Sequence, residues 1–253
     1  MDFKSLFGSG VLAHDGIHFD QSDIKVGITE SKRELTHSVI DGIAVMRLSV
    51  NYFMGDNPYS IESYSKYIYD LKSDTNIKGL IFEQCSGGGA AVAGALLRST
   101  FIEFSKVKPV INLIHVAGSA SYWAASGSNL IIASTNMSSI GSIGALISLD
   151  KFSRMIDIAF TTDVYAEQSK DKNEAWRQWI LDESNVEKYQ EQANAAAQIF
   201  IDDVKASRPL VKDSVFSGKM YNALEAKRLG LIDGIGSIEY CMERMKSQLG
   251  NYK

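Results

Sequence analysis

The stretch that decides the fold is Pro109-Val-Ile-Asn-Leu-Ile-His-Val116, followed directly by Ala117-Gly-Ser-Ala-Ser-Tyr-Trp123. An apolar run of strand length feeds a turn of small residues, and a helix-like segment carrying Tyr122 and Trp123 follows. A serine in such a turn stands clear of the sheet, and the backbone N–H groups behind it are free to hold an anion. A glycine triplet, Gly87 to Gly89, follows an earlier strand, and a lysine, Lys170, lies further downstream. Together they predict a serine nucleophile, an oxyanion hole and a lysine base, the parts of a serine peptidase.

The same strand–helix alternation extends outward in both directions. Ile43 to Val50 and Lys78 to Gln84 read as strands, as do Val110 to His115 and the short Leu130 to Ala133. Ile61, Tyr64, Ile68 and Leu71 recur at helical spacing behind Ser60, a fitting N-cap, so Ser60 to Lys72 predicts an amphipathic helix. Ala90 to Phe104 predicts a second helix, and Glu187 to Lys205 a long alanine-rich one. Leu224 to Leu229 predicts a short helix ended by Gly230, which suits the left-handed residue beyond a helix terminus. Ala145 to Leu149 and Phe160 to Tyr165 are two further strand candidates. The pattern predicts an α/β fold with parallel strands and crossover helices. Residues 1–38, polar and glycine-punctuated, read as an N-terminal arm, and residues 39–253 as one domain.

Composition sets the bounds. With 253 residues, 45% apolar and 22% charged, the chain can bury a full core. A net charge of −4 gives no general attraction to nucleic acid or anionic membrane. Cys85 and Cys241 are the two cysteines; their spacing offers neither a zinc site nor a disulfide framework, so no metal or cofactor is expected. The first twenty residues lack the uninterrupted apolar core of a secretory signal, and no apolar run reaches spanning length. These features predict a soluble, cytoplasmic protein without a membrane anchor.

Five ordered segments together resemble the signal-peptide-peptidase-A-like serine peptidases, a family that includes small bacterial forms and the prohead maturation proteases of tailed phages. Gly42-Ile-Ala-Val-Met-Arg-Leu48 is similar to its opening strand. Ser86-Gly-Gly-Gly89 is similar to its Ser-Pro-Gly-Gly, with Gly87 in place of proline. Ala117 to Trp123 resembles the nucleophile segment and puts the nucleophile at Ser119. Ile140-Gly-Ser-Ile-Gly144 resembles a segment lining the site, and Phe216 to Asp233 the closing segment, which ends in Gly-Leu-Ile-Asp. Ala166-Glu-Gln-Ser-Lys-Asp171 resembles the lysine segment, with Ser169 where the family has histidine; it puts the base at Lys170, with Lys172 as the alternative. The resemblance implies the spiral β/α fold of the caseinolytic protease ClpP and the crotonases, and a closed homo-oligomer.

A serine hydroxyl attacks well only when a base takes its proton, and lysine does this only when neutral. An ordinary lysine, with a pKa of about 10.4, is almost fully charged at neutral pH, so the base needs surroundings that penalise its ammonium. The N–H groups of Gly88 and Ala120 are the expected oxyanion donors, with Gly89 beside them. Ser142 either orients the lysine, as the resemblance implies, or caps a helix, and Ser121 is read as structural. His115, four residues before Ser119, lies on the strand and points away from the turn; a packed or hydrogen-bonded role is expected, and the sequence offers no acidic partner for it. His14, His18 and His37 are read as surface residues of the arm, and Trp176 and Trp179 as packing an interface or walling a groove.

The expected activity is that of a serine endopeptidase with a Ser119–Lys170 dyad, acting on protein or peptide substrates such as capsid or scaffold proteins inside a host cytoplasm. A signal-peptide-degrading enzyme, an acyl-CoA enzyme of the crotonase type and a catalytically inactive assembly subunit are the alternatives.

Overall fold

In the computed structural model, which describes residues 35–252, the sheet opens with a hairpin. Strand β1 (Ser38–Ile40) turns at Asp41 and Gly42 into β2 (Ile43–Leu48), to which it pairs antiparallel. Both turn residues have positive φ, 54° and 82°. Asp-Gly is the pair that a two-residue hairpin turn prefers. Of the residues read as the arm, only Ser38 belongs to this strand. His37, on its approach, is hydrogen-bonded to Tyr67 Oη at 2.7 Å. Residues 1–34, with His14 and His18, lie outside the described residues.

The elements α1 (Ile61–Ser73), β3 (Gly79–Ser86), α2 (Ala91–Ser105), β4 (Val110–Gly118), α3 (Ala120–Ala125) and β5 (Leu130–Ala133) follow as the periodicity predicts. Ser60 caps α1 by accepting from the Ser63 N–H. Strands β2, β3, β4 and β5 are parallel neighbours in that order, and the two-residue strand β8 (Gly234–Ile235) extends the sheet beyond β5. Strand β4 is long enough to serve two partners. Its first half pairs with β5, and Val116 to Gly118 pair with β6 (Ser139–Gly141), which in turn pairs antiparallel with β7 (Met220–Asn222). This split places the turn after Gly118 beside Gly141.

Side-chain alternation divides the core between the two faces of the sheet. Leu80, Phe82 and Val110 pack with α1 and α2, whereas Ile81, Ile111 and Leu113 pack under Cys241 and Met245 of α8 (Ile238–Leu249). A third cluster joins Tyr122 and Trp123 of α3 to Phe200 and Val204 of α6 (Glu187–Ser207) and to Ala223 and Ala226 of α7 (Ala223–Arg228).

The described chain forms two compact units, residues 35–146 with 193–252, and residues 147–192. The segment from Ala145 to Tyr165 overturns two expectations. Ala145 to Leu149 is not a strand, and neither is Phe160 to Tyr165. Phe160 instead ends helix α4 (Lys151–Phe160), whose N-cap Asp150 accepts from the N–H groups of Phe152 and Ser153 at 3.1 and 3.2 Å. The helical signal was present: Phe152, Met155, Ile156 and Ala159 recur at i, i+3, i+4 and i+7. After α4 the chain runs extended to a short 3-10 turn and α5 (Glu174–Leu181). Among the described residues no helix is long and apolar enough to cross a membrane.

Candidate active site

Ser119 is the single residue between β4 and α3 and has φ 51° and ψ −126°. Only glycine enters this region freely, and a side chain held there costs about 1–3 kcal/mol. The turn is fixed from both sides: the Ser119 N–H donates to Gly141 O at 2.9 Å, and Ser119 O accepts from the Trp123 N–H at 3.0 Å. Ser119 is partly exposed, and the next residue, Ala120, opens α3. As the first residue of a helix, its N–H has no carbonyl of its own helix to meet.

The glycine triplet folds against this turn. Gly88 and Gly89 have φ 107° and 148°. A Cβ on Gly88 would lie 2.8 Å from Ser119 Cβ and 3.0 Å from Ala120 N; one on Gly89 would lie 2.2 Å from Tyr52 O. Glycine is thus required by contact as well as by conformation. The Tyr52 backbone clamps the loop, its N–H donating to Gly88 O at 2.9 Å and its carbonyl accepting from the Ala90 N–H at 2.8 Å. The Gly88 N–H donates to Ser86 Oγ at 3.2 Å.

A cleft of about 760 Å³ opens at this point, within the unit that carries the sheet. Gly87, Gly89, Ser119, Ala120 and Ser142 line it, and Trp123, Ile143, Leu146, Phe200 and Phe216 form its apolar wall; among the described residues no charged side chain lines it. Trp123 stacks on Phe200 with centroids 4.7 Å apart and an interplanar angle of 12°. Its indole N–H donates to Asp203 Oδ2 at 2.7 Å, and Asp203 pairs with Arg98 at 3.0 Å. Ser142 also has a positive φ, 53°, and its N–H donates to Lys219 O at 2.9 Å; the helix downstream of it is capped by Asp150.

The structure thus brings Ser119, Ala120, Gly88, Gly89 and Ser142 together. Lys170 belongs to the other unit. There it follows the 3-10 turn Glu167–Ser169, its side chain is exposed, and its carbonyl accepts from Arg177. Arg177 lies over the Tyr165 ring at 4.6 Å. In the same unit Trp176 donates to Asp157 Oδ2 at 3.0 Å, and Trp179 is buried 5.2 Å from it under Arg154.

His115 is hydrogen-bonded as expected, yet it does have an acidic partner. Its Nε2 lies 2.6 Å from Glu83 Oε1 and its Nδ1 2.8 Å from Ser134 Oγ. Both ring nitrogens are therefore engaged away from Ser119. Glu83 and His115 come from neighbouring strands, a pairing that sequence distance conceals.

Beneath the turn lies a buried polar network that the sequence reading passed over. Gln84 Oε1 accepts from Tyr52 Oη and from Ser121 Oγ, each at 2.9 Å; Gln84 Nε2 donates to Asn112 Oδ1 at 2.8 Å. Burial holds the Tyr52 phenol well above its ordinary range, so it remains a neutral donor. The signal available was a polar Gln84 and Asn112 within strands that are mostly apolar.

The family model for peptidase family S49 matches residues 102–251. A Methanocaldococcus jannaschii protein that carries a protease name is 28% identical over 197 residues, covering 74% of this chain and 61% of the relative. Protease 4 of Haemophilus influenzae is 26% identical over 264 residues, covering 99% of this chain and 41% of the relative. The chain thus spans less than two thirds of the length of each of these two relatives. Among solved structures, a membrane-bound stomatin-specific protease superposes with a TM-score of 0.51 at 16% identity, over 81% of this chain and 85% of that one. An enoyl-CoA hydratase from Shewanella pealeana superposes with a TM-score of 0.51 at 12% identity, over 86% and 74%. Both likenesses show the fold, the α/β spiral of the ClpP and crotonase type. Since the family model covers more than half of the sequence and includes Ser119 and Lys170, the chain belongs to peptidase family S49.

Proposed function

We propose that the protein is a serine endopeptidase that hydrolyses peptide bonds through an acyl-enzyme on Ser119. The observation that carries this reading is the strained Ser119, held at φ 51° on the floor of an uncharged cleft beside a glycine loop. Strain of this kind persists only where the surroundings enforce it, and it lifts the hydroxyl toward the substrate. Ser119 Oγ attacks the scissile carbonyl while its proton passes to a lysine, which we assign to Lys170. The Ala120 N–H and an N–H of the glycine loop hold the oxyanion; Gly88 can exchange its 3.2 Å bond to Ser86 for this role. The lysine returns the proton to the leaving amine, and water then hydrolyses the ester.

Lys170 is exposed in the single chain, whereas a lysine base works only when shielded from water. Bound substrate or a homo-oligomer would supply the cover. Association is supported by α4, where Phe152, Met155, Ile158 and Phe160 are each more than half exposed. The uncharged wall of the cleft favours apolar substrate side chains. The resemblance to prohead maturation proteases supports capsid or scaffold proteins as substrates.

Digestion of such proteins, read by mass spectrometry, tests the assignment in four arms. Wild type should cut, while Ser119→Ala and Lys170→Ala should not and Lys172→Ala should. An active Lys170→Ala with an inactive Lys172→Ala would move the base by two residues, and cleavage by Ser119→Ala would end the reading.

A further inference from the structure

Two parts of the site must keep a fixed separation: the nucleophile turn at Ser119 and the glycine loop. They come from different crossovers, the loop following β3 and the turn following β4. One side chain reaches both. Gln84 is fully buried on β3, two residues before Ser86, where the β3–β4 register shifts between Gln84 and Cys85. Its carbonyl oxygen accepts from Tyr52, whose backbone clamps Gly88 and Ala90, and from Ser121, two residues after Ser119. Its amide donates to Asn112 Oδ1 and, at 3.4 Å, to the Ser121 carbonyl.

We propose that Gln84 is a positioning residue, which sets the distance between Ser119 and the glycine-loop donors through Tyr52 on one side and Ser121 on the other. This rests on Ser119 being the nucleophile. The chemistry explains why glutamine stands there. A primary amide accepts two hydrogen bonds and donates two, and all four are made here. Glutamate could keep the bonds from Tyr52 and Ser121 but would set a carboxylate oxygen against Asn112 Oδ1; methionine fills the space and makes none. In a site shut off from water such a network is either fully satisfied or a source of disorder. Displacing catalytic groups by about 1 Å costs on the order of a hundredfold in rate, whereas substrate binding in the apolar cleft does not depend on Gln84.

The test compares the full-length wild type with Gln84→Met, Tyr52→Phe, Ser121→Ala and the Gln84→Met/Ser121→Ala double variant, all assayed well below their melting temperatures. Gln84→Met should lower kcat by about ten- to a hundredfold with KM changed by less than about threefold, and should weaken a peptide boronate, which mimics the tetrahedral state, by the same factor as kcat. Tyr52→Phe and Ser121→Ala should each lower kcat about three- to tenfold, and the double variant should be no worse than Gln84→Met alone. Should Gln84→Met not fold, the two milder variants decide: unchanged kcat in both overturns the proposal. A folded Gln84→Met with wild-type kcat and boronate affinity also overturns it. These outcomes are separate from failure of the functional reading, which would appear as cleavage that survives Ser119→Ala in the same assay.

Discussion

Replacing Ser119 by glycine should remove activity and at the same time make the protein more stable than replacing it by alanine. Ser119 holds φ 51° and ψ −126°, and Ser119→Ala keeps the Cβ that makes this conformation costly. Relief of the strain is worth about 1–3 kcal/mol. Against it, glycine has more freedom to lose on folding, about 0.5–1 kcal/mol. The balance favours Ser119→Gly over Ser119→Ala by about 1 kcal/mol. For a chain of this size that is a rise in Tm of roughly 2–4 °C. Calorimetry or denaturant unfolding of the two variants side by side measures the difference, because both lack the hydroxyl and differ only in the Cβ. A glycine variant no more stable than the alanine one would show that Ser119 is not strained, and would remove the main structural support for its special role.

Three further outcomes follow from contacts elsewhere. A Cβ on Gly94 of α2 would lie 2.7 Å from Ala120 O and 2.9 Å from Ala120 Cα. Gly94→Ala should therefore cost about 1–3 kcal/mol in denaturant melts and lower kcat by roughly tenfold or more by pushing α3 aside. His115→Ala should leave Ser119-dependent cleavage at the wild-type rate while costing about 1–2 kcal/mol of stability, since the bonds to Glu83 and Ser134 are lost; inactivity in a folded variant would point to a serine–histidine mechanism instead. Burial pushes the Cys241 thiol up to about 12, with Glu239 adding to the effect. Its thiolate is thus disfavoured far above neutrality. A thiol reagent at pH 8 should modify the partly exposed Cys85 first and leave Cys241 intact until the protein unfolds, as mass spectrometry of timed samples would show.

Where the sequence was readable, the reason was local. Ile61, Tyr64, Ile68 and Leu71 mark α1 because one face of that helix is buried, and the apolar runs of β3 and β4 mark strands covered on both faces. The turn at Ser119 was readable because small residues had to gather where a strand passes directly into a helix. Less of the sheet's far end could be read. Strands β6 and β7 are three residues long and exist through pairing with each other and with Val116 to Gly118, which no short-range pattern encodes. The hairpin at Asp41 and Gly42 carried its turn signal openly, but its first strand is exposed and lacks alternation. Of the two strands expected around α4, 145–149 and 160–165, only Phe160 belongs to the helix; Phe160 and Val164 are apolar yet exposed, so their hydrophobicity marks neither a buried strand nor the core. In the site, the glycine loop and nucleophile were legible from residue type. The Gln84 network and the cleft wall from Phe200 and Phe216 were not, because they depend on side chains meeting across distant crossovers.

The most direct measurement of the central claim is covalent labelling with a fluorophosphonate, which reacts with activated serines, followed by peptide mapping. One adduct per chain is expected, on the peptide that carries Ser119, absent from Ser119→Ala and acquired at the same rate as peptide cleavage is lost. An adduct on Ser121 or Ser134, or loss of cleavage without any label on Ser119, would contradict it.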